Sequence, residues 1–592
     1  MKADLERMKK NDRAEIAERL KRAKEYGDLS ENSEYIDAKE AQSKLENAIF
    51  ELEEMLRSAV LIKKTTEKDT VEIGATLEAQ RDGKTSTFTI VGSSEAKPEA
   101  NLISNESPLG KSFLGKRVGA TIEVVVPSGV TVKYKITIIH NFQFPYGMLY
   151  DIIAGRKKKL ETLRGARINP YPSSVRRTIF IAEALKTFPS LLRARKKVFV
   201  LGRIVGLRDQ GNLLFLDVED ETGRMQAVLK KDNLSDFKTL KSALDIGDFI
   251  EVAGHVFKTK KGEKSIEARH ARMVAKALRP LPSEWYGFSD TEERFRKRYL
   301  DTLLNADVRA RFVKRAGVVR SIREFLHKEN FMEVETPILQ SLPGGARAKP
   351  FATHHYALDQ DFYLRISPEL YLKRLLIGGF EKIFEIGRNF RNEGIDHSHN
   401  PEFTMLELYW AYQNYDGLMK FTEKLLKKFI PGKWGKVTFV DAFKKFTGKS
   451  FENIDPSVLD EVFKKEVRPK IIKPTLVIDY PEPIMPLAKL HSDNPTFTQS
   501  FQLIVDGVEI VKGFSEMNDP LVQRAQMERQ ERAFRGGDEE ASRLDEAFLE
   551  ALEYGMPPAA GLGMGIDRLI MYITKTQNIK EVIAFPTLRS KE

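Results

Sequence analysis

The stretch FRNEGIDHSHNPEF, residues 390–403, decides the fold prediction for this chain. It places Arg391 near a turn-forming Gly394 and ends on Phe403. A guanidinium group binds phosphate oxygens in pairs, and an aromatic ring can stack on a nucleotide base. We therefore expect a strand–loop–strand unit that binds ATP, although an arginine near a glycine is, taken alone, more often a surface residue.

Two further stretches flank this one, NFMEVETPIL at 330–339 and GLGMGIDRLIM at 561–571. The second contains Arg568, which also suits phosphate. Transfer from ATP spreads negative charge over phosphate oxygens, so the protein must supply arginines and a metal ion. In this order the three stretches resemble the signature motifs of class II aminoacyl-tRNA synthetases. The resemblance implies an antiparallel-sheet catalytic domain that uses ATP and magnesium and forms a homodimer through residues 330–339.

Three glutamates indicate which amino acid is activated, namely Glu369 in SPELYLKR, Glu407 in TMLELYWAY and Glu516 in GFSEMND. A buried ammonium needs several carboxylates, because one pair rarely offsets the cost of desolvation. The neighbours of Glu407 are apolar, which favours an inward-facing acid on a strand over an acid on a helix surface. The Tyr409 hydroxyl stands beside them.

The segments LPGGARAKPF, RISPELYLKR, HNPEFTMLELYWAY and GFSEMNDP together resemble bacterial-type class II lysyl-tRNA synthetases. By that resemblance, lysine or its carboxylate is held by Gly345, Glu369, Arg391, Glu393, Tyr409, Phe514 and Glu516. To these lysine-binding residues we add Glu407, from its apolar surroundings, and Lys512, which departs from the family pattern. ATP and its magnesium are held by Arg391, Glu393, His399, Asn400, Phe403, Glu509 and Arg568. Catalysis is assigned to Arg391, Glu393 and Arg568.

Two positions depart from that family pattern. The family usually has Glu where Gln502 stands, as one of two acidic magnesium ligands, and the other ligand matches Glu509. Glutamine can bind magnesium through its carbonyl oxygen, but without charge. The family usually has Asn where Lys512 stands; a lysine there either pairs with the substrate carboxylate, which we favour, or fills the ammonium pocket. We expect an active enzyme with an altered magnesium dependence.

Residues 197–275 contain five short alternating strands, which predict a small Greek-key barrel. Phe215 and Gln226 could stack on an unpaired base and read its edge, whereas an aromatic residue in such a strand otherwise packs in the core. In related synthetases the matching residues contact the central anticodon uridine, with the arginine matching Arg203 beside them. This resemblance implies tRNA(Lys) as partner.

The net charge of +11 is concentrated in one segment. Residues 156–208 contain fifteen Lys or Arg and two acids, Glu161 and Glu183. This stripe indicates a polyanion partner, or else a solvated linker face. The absence of cysteine excludes disulfides. With no apolar leader and no run of about 18 apolar residues, we expect a cytoplasmic protein without a membrane segment.

The first 69 residues read as two helices with a coiled-coil seam, joined by an acidic tip. The tip sequence GDLSENSEY at 27–35 and the later run NLISNESPLGKSFLGKRVGATIEVVVPSG resemble GreA-type transcript cleavage factors. The resemblance implies that Asp28 and Glu31 bind magnesium inside the secondary channel of RNA polymerase, and that an FKBP-like β domain docks on the rim. The first helix starts about ten residues late, which leaves domain docking in question.

The predicted fold is a multidomain α+β chain. Its expected domains are the hairpin (1–69), the FKBP-like domain (70–142), a linker with a basic tRNA-contacting helix (143–196), an OB-fold anticodon domain (197–280) and the class II catalytic domain (281–592). The leading hypothesis is a transcript cleavage factor fused to a lysine–tRNA ligase. In a second, the hairpin is only a binding module for tRNA or polymerase; in a third, the enzyme lysylates a protein.

Overall fold

A computed structural model describes most of the chain, which divides into two compact units, residues 1–281 and 282–592. The described residues are Arg13, Ile16, Gln42, Leu45, Val71, 75–81, 84–91, 101–125, 131–140, 145–281, 291–456 and 458–590. The four described residues before Val71 are helical. The predicted hairpin and its tip acids Asp28 and Glu31 otherwise lie outside the described residues.

The first unit begins with a five-stranded sheet in the order β3-β2-β1-β5-β4. Its elements are β1 (Thr76–Arg81), β2 (Lys84–Val91), β3 (Leu102–Ser104), α1 (Pro108–Phe113), β4 (Thr121–Val125) and β5 (Thr131–His140). Ser107 caps α1 by accepting from the Gly110 N–H at 3.0 Å. Phe88, Phe113 and Tyr134 pack together, with ring centroids 5.7 to 6.0 Å apart.

A closed five-stranded barrel follows in the same unit, in the order β10-β8-β7-β6-β9, which confirms the barrel prediction. Its strands are β6 (Val198–Gln210), β7 (Leu213–Glu219), β8 (Arg224–Lys230), β9 (Phe249–Lys258) and β10 (Lys264–Ala275). The helices around it are α2 (Pro145–Gly165), α3 (Ile181–Lys186), α4 (Phe188–Ala194) and α5 (Phe237–Ala243). Buried residues alternate with partly exposed ones along β7, as a barrel wall requires.

The basic helix α2 turns two of its cations toward the barrel. Arg156 is buried and donates to the carbonyl oxygens of Ile246, Ala277 and Arg279. Lys159 lies 2.7 Å from Asp245. These two residues bind the helix to the barrel and are not available to a polyanion, so part of the predicted basic stripe is structural.

The second unit is built on an eight-stranded sheet and a three-stranded sheet, β12-β14-β13. The large sheet runs β11-β15-β16-β21-β20-β19-β18-β17. The strands are β11 (Met332–Glu333), β12 (Leu339–Gln340), β13 (Ala352–His355), β14 (Gln360–Leu364), β15 (Lys382–Phe390), β16 (Glu402–Ala411), β17 (Gly435–Thr438), β18 (Thr475–Ile478), β19 (Ser500–Val505), β20 (Val508–Ser515) and β21 (Ala559–Gly565).

Helices cover this sheet. They are α6 (Thr291–Arg296), α7 (Arg298–Leu304), α8 (Ala306–Lys328), α9 (Glu369–Ile377), α10 (Tyr415–Leu426), α11 (Phe439–Thr447), α12 (Leu459–Val462), α13 (Pro520–Arg535), α14 (Glu546–Glu553) and α15 (Ile566–Thr574). The largest core cluster joins α8, α10 and α15 to the central strands β16, β19, β20 and β21. Among the described residues, no helix has the length and apolar content that crossing a membrane requires.

Candidate active site

The three predicted acids meet in the interior of the second unit. Glu369 opens α9, Glu407 lies in the middle of β16, and Glu516 directly follows β20. Their exposed fractions are 5%, 5% and 1%. The inward-facing position predicted for Glu407 is therefore correct.

A lysine that the sequence analysis did not name sits among these acids. The Lys373 ammonium donates to Oε1 of Glu369 at 2.6 Å and lies 2.5 Å from Oε2 of Glu516. It also lies 5.9 Å from the ring centre of Phe514, one of the predicted substrate-binding residues. Lys373 stands four residues after Glu369, on the same face of α9. That spacing was the one sequence signal that could have identified it.

The cluster holds more negative than positive groups. Burial and the charge of the neighbouring Glu369 together raise the pKa of Glu407 to about 7, against the opposing effect of a hydrogen bond from Ser367. Burial likewise raises the pKa of Glu516 to about 8, even though the Lys373 ammonium opposes this. Burial and the three acids raise the pKa of the Tyr409 hydroxyl well above its usual value. The pocket is therefore suited to one additional cation.

Neighbouring groups orient Glu407. The Ser367 hydroxyl lies 2.9 Å from Oε1 and 3.2 Å from Oε2 of Glu407, and the Tyr409 hydroxyl lies 3.4 Å from Oε2. The amide of Asn389 lies 3.5 Å from Oε1, and its own carbonyl oxygen is buried without a partner. Ser367 and Asn389 were not predicted, because nothing in the chain pattern connects them to Glu407.

Two glycines shape the same pocket. Gly345 has φ of +82°, and an added Cβ would lie 2.8 Å from Glu369 Cβ. Gly561 on β21 leaves room for two functional side chains, since a Cβ there would meet Oε1 of Glu516 at 2.4 Å and Cε1 of Tyr409 at 2.5 Å. Gly345 therefore acts through its backbone: it adopts a positive φ angle and leaves space beside Glu369.

The strand–loop–strand prediction for 390–403 agrees with the structure. Strand β15 ends at Phe390, a loop follows, and β16 begins at Glu402, with Asn389 opposite Phe403. The Arg391 guanidinium lies 5.1 Å from the Phe403 ring centre, and its buried Nε has no hydrogen-bond partner. An arginine held in this way has donors left for an anion.

Arg568 lies close to the same loop. It hydrogen-bonds His399 Nε2 at 3.0 Å and the Glu509 carbonyl oxygen at 3.3 Å, and its Nη1 lies 3.7 Å from the Glu509 carboxylate. His399 in turn pairs with Asp396 at 2.9 Å. The structure therefore joins Arg568, His399 and Glu509 as predicted, and adds Asp396 as the group that orients His399.

Two predicted ATP ligands are placed differently. The Asn400 side chain is buried and used internally, since its Nδ2 donates to the Glu402 carbonyl oxygen at 2.6 Å and its Oδ1 accepts from the Thr587 N–H at 3.3 Å. Its contribution here is to shape the loop. Glu393 is exposed, and no hydrogen bond or ion pair of its side chain is observed among the described residues.

Gln502 and Lys512 are directly opposite each other on β19 and β20. Oε1 of Gln502 accepts a hydrogen bond from the buried Tyr480 hydroxyl at 3.0 Å. Lys512 is partly buried, and within the described residues it forms no ion pair with any of the three pocket acids. Lys373, not Lys512, is the lysine whose ammonium lies between Glu369 and Glu516.

The barrel brings together two of the three predicted anticodon residues. Phe215 faces outward on β7, and Gln226 lies on the adjacent β8, opposite Asp217 and thus diagonal to Phe215. The Ser265 hydroxyl donates to the Gln226 carbonyl oxygen at 3.0 Å, which leaves the amide N–H groups available. Phe215 is therefore outside the core.

Arg203 is further from this pair than predicted. It is opposite Glu219, at the other end of β7, four residues from Phe215 or about 13 Å along the strand. Its guanidinium lies 4.2 Å from the Phe249 ring centre and donates to the Gly247 carbonyl oxygen at 3.0 Å. The exposed Arg208 is the arginine opposite Phe215.

Comparison with known families covers most of the chain. Residues 290–589 match the family described as tRNA synthetases class II (D, K and N), and residues 198–274 match the OB-fold nucleic acid binding domain. Ahead of them, residues 1–61 match the N-terminal domain of transcription elongation factors, and residues 66–141 match the C-terminal domain of GreA/GreB elongation factors.

Individual relatives agree. A lysine–tRNA ligase of Carboxydothermus hydrogenoformans is 42% identical over 485 residues, which is 75% of this chain and 99% of that protein. One from Moorella thermoacetica is 42% identical over 483 residues, with 75% and 98% covered, and one from Pelotomaculum thermopropionicum is 41% identical over 487 residues, with 75% and 96% covered. The chain therefore belongs to the class II lysyl-tRNA synthetases, and carries ahead of the ligase the two domains of a GreA/GreB-type transcription elongation factor.

Proposed function

We propose that the second unit ligates L-lysine to tRNA(Lys) through a lysyl-adenylate. The observation that carries this is the buried cluster of Glu369, Glu407 and Glu516, which holds one ammonium from Lys373 and still has raised carboxyl pKa values. A lysine side chain supplies the missing cation. An uncharged side chain would leave Glu407 buried without a counter-ion, at a cost of several kcal/mol.

The reaction follows from the arrangement of the site, which has the acids at one end and the phosphate-binding arginines at the other. The lysine ammonium binds at Glu407 and Glu516, which directs the lysine carboxylate toward the nucleotide. A carboxylate oxygen attacks the α-phosphorus of ATP, the bond to pyrophosphate breaks, and the terminal tRNA hydroxyl later displaces AMP from the lysyl carbonyl. Arg391 and Arg568 neutralise charge that develops on the phosphate oxygens, while Phe403 stacks on adenine. Lys512 pairs with the lysine carboxylate at the point where that carboxylate meets the ATP phosphates.

The residues present fit one magnesium ion that enters with ATP. Glu509 is a free carboxylate next to Arg568, and magnesium commonly binds one or two carboxylates together with substrate phosphates. Gln502 adds no charge, and one lone pair of its carbonyl oxygen accepts from Tyr480. No group of three or more His, Cys, Asp or Glu suited to a metal occurs within the described residues. Magnesium supplies charge neutralisation on the phosphates.

Lysine-dependent exchange of pyrophosphate into ATP tests the first step without tRNA. The wild-type chain should catalyse exchange with lysine and not with norleucine, whose side chain has the same four carbons but lacks the terminal ammonium. Glu407→Gln should lower kcat/KM for lysine about 100-fold or more, because a carboxylate–ammonium contact in a dry pocket is lost. Exchange that proceeds equally with norleucine would contradict the proposal.

For tRNA recognition we propose that Phe215 stacks on the central anticodon uridine and that the Gln226 amide reads its edge. The diagonal placement of the two residues and the hydrogen bond from Ser265 support this. The exposed cations Lys157, Lys158 and Arg164 on α2 are placed to meet tRNA phosphates, which predicts salt-dependent affinity. This anticodon face disfavours the hypothesis that the enzyme lysylates a protein.

We further propose that the ligase is a homodimer. In one copy, residues in and near the 330–339 stretch expose apolar side chains: Met332, Ile338, Leu339, Tyr356 and Leu358, the last two at 90% and 61%. Exposed patches of this kind commonly mark protein interfaces. Sedimentation velocity of wild type and Leu339→Lys should give a dimer and a monomer, respectively.

For the first 142 residues we propose a coiled-coil hairpin and an FKBP-like β domain that bind RNA polymerase and stimulate cleavage of backtracked transcripts, with Asp28 and Glu31 holding magnesium. The family matches at 1–61 and 66–141 support this. We also propose that the protein acts in the cytoplasm, because both proposed RNA substrates, tRNA and nascent RNA, are cytoplasmic. The alternative is a hairpin that binds without stimulating cleavage.

A backtracked elongation complex distinguishes these two functions. Cleavage stimulation predicts the release of short RNA on addition of the wild-type chain, and its loss with Asp28→Ala at unchanged polymerase binding. If both proteins bind and neither releases RNA, the hairpin is a binding module.

A further inference from the structure

The surroundings of Glu509 are strongly basic. Burial raises the pKa of this carboxyl group, but Arg568, Lys512, Arg468 and Lys464 more than offset that effect and lower it overall. Arg568 is the closest of these cations, at 3.7 Å. Lys464 pairs with Asp460 at 2.7 Å, which leaves Arg568, Lys512 and Arg468 as the cations around Glu509 in the part of the site where ATP phosphates are expected.

Two of these cations are free to bind an anion. Lys512 is partly buried, and its ammonium has no hydrogen bond or ion pair with any residue that the structure describes. Burial lowers its pKa, with Glu509, Asp460 and Glu369 acting in the opposite direction. Lys512 lies on β20 between Glu509, at the nucleotide end of the site, and Phe514, at the amino-acid end, and it is opposite Gln502 on β19 and Gly563 on β21.

Arg468 is the second free cation. It lies in the short helical turn Arg468–Lys470, which packs against β20, the strand that carries Glu509 and Lys512. Its Nε is buried without a hydrogen-bond partner. A buried donor of an arginine costs free energy unless a partner arrives. Phosphate oxygens are the partners that a guanidinium group binds best.

This arrangement does not fit a second divalent cation. Magnesium needs oxygen donors with negative charge, yet Glu509 is the only carboxylate on the paired strands β19 and β20. The residue facing Lys512 is the uncharged Gln502, whose carbonyl oxygen already accepts from Tyr480. Adding two positive charges beside Lys512, Arg468 and Arg568 is electrostatically unfavourable.

We propose that Lys512 and Arg468 act as fixed side-chain cations on the ATP phosphates in place of a second divalent cation, so that the ligase needs only the magnesium that arrives with ATP. This inference rests on the proposed lysine-activating function of the site. In this proposal Lys512 and Arg468 bind the phosphates. Tyr480 is a positioning residue, because its hydrogen bond to Gln502 keeps the Gln502 carbonyl oxygen away from a metal.

Metal stoichiometry tests this independently of turnover. Manganese, which is paramagnetic, is titrated into the full chain with a non-hydrolysable ATP analogue and lysine, and bound ions are counted by electron paramagnetic resonance. The wild type should bind one ion per site, and the paired variant Gln502→Glu with Lys512→Asn should bind two. Two ions in the wild type, or one in the paired variant with ATP-analogue binding retained, would overturn the proposal.

Arg468 has a matched control in the same segment. Arg468→Gln should raise KM for ATP about tenfold or more and leave KM for lysine unchanged, since a charge-assisted contact to phosphate is lost. Lys465→Gln removes a cation three residues away that is exposed and paired with Glu461, and should change neither constant. Equal effects of both variants would exclude a specific role for Arg468. If the wild type shows no lysine-dependent exchange at all, the proposed function fails, whereas the metal count still decides this inference.

Discussion

The Lys373 ammonium lies 2.5 Å from Oε2 of Glu516, and both side chains are almost fully buried. The same ammonium donates to Glu369, so an internal lysine occupies part of the pocket that we propose for the substrate lysine. This ion pair keeps two acids close together without repulsion and leaves Glu407 for the incoming cation. The charge of the pocket is thereby set for a ligand that carries one positive charge.

Lysine binding should release protons. At pH 6, carboxyl groups with pKa values of about 7 and about 8 are protonated, whereas the lysine ammonium binds their ionised forms. Affinity should therefore increase as the pH rises through 7 and 8 and level off above that, by up to about tenfold per pH unit for each proton released. Isothermal titration calorimetry in buffers of different ionisation enthalpy measures the released protons. Glu407→Gln should lower their number, and a pH-independent affinity would contradict the prediction.

Removal of the Lys373 charge should destabilise the synthetase unit. Lys373→Met leaves Glu369 and Glu516 buried without their counter-ion, which costs about 3–5 kcal/mol. Adding Glu516→Gln should recover part of this loss. The three tryptophans, Trp285, Trp410 and Trp434, all belong to the second unit, so tryptophan fluorescence in a denaturant titration follows its unfolding.

Lys420→Met serves as the control for that experiment. Lys420 is exposed on α10, so its replacement should change the free energy of unfolding by less than about 0.5 kcal/mol. A Lys373→Met variant as stable as Lys420→Met would show that the buried ion pairs do not hold the pocket together.

A single methyl group at Gly561 should block the lysine pocket. Its Cβ would lie 2.4 Å from Oε1 of Glu516 and 2.5 Å from Cε1 of Tyr409, and both side chains are buried. Gly561→Ala should raise KM for lysine about 100-fold, as expected for a loss of roughly 3 kcal/mol, with KM for ATP little changed. Gly563→Ala on the same strand would meet the flexible end of Met405 at 2.9 Å and Glu407 Cγ at an ordinary contact distance of 3.9 Å, and should be tolerated. Steady-state pyrophosphate exchange distinguishes them.

Phe215 should affect tRNA and not adenylation. Phe215→Ala removes a stacking surface, which costs about 1–3 kcal/mol of tRNA binding, while pyrophosphate exchange stays at the wild-type rate. Phe180→Ala removes an exposed ring of the same unit that lies outside the barrel strands and should leave tRNA affinity close to wild type. Charging assays should also show that Phe215→Ala discriminates less against tRNA with a replaced central anticodon base. Unchanged discrimination would exclude Phe215 from anticodon reading.

Much of the site could be predicted, because local pattern and family motif agree there. Glu407 was placed correctly because the apolar residues around it on a strand must face a core. Arg568 and His399 were placed together because each belongs to a motif with a known role. Asn400 was assigned to ATP by its motif, but its side-chain amide forms hydrogen bonds with the Glu402 carbonyl and the Thr587 N–H. Thr587 is 187 positions away in the chain, and no pattern in the sequence near Asn400 predicts a contact over that separation.

The sequence by itself determined the family, the order of the domains, the three acids of the lysine pocket and the two unusual residues Gln502 and Lys512. Each of these depends on residue identity or on spacing along the chain. Only the tertiary structure decided which polar groups pair with one another. Lys373 forms ion pairs with Glu369 and Glu516, and Tyr480 donates a hydrogen bond to Gln502. Among the described residues, Lys512 and Arg468 form no ion pair. The reason is physical, since electrostatic energies and pKa values depend on burial and on distances of a few ångströms between groups that the fold brings together from separate strands and helices.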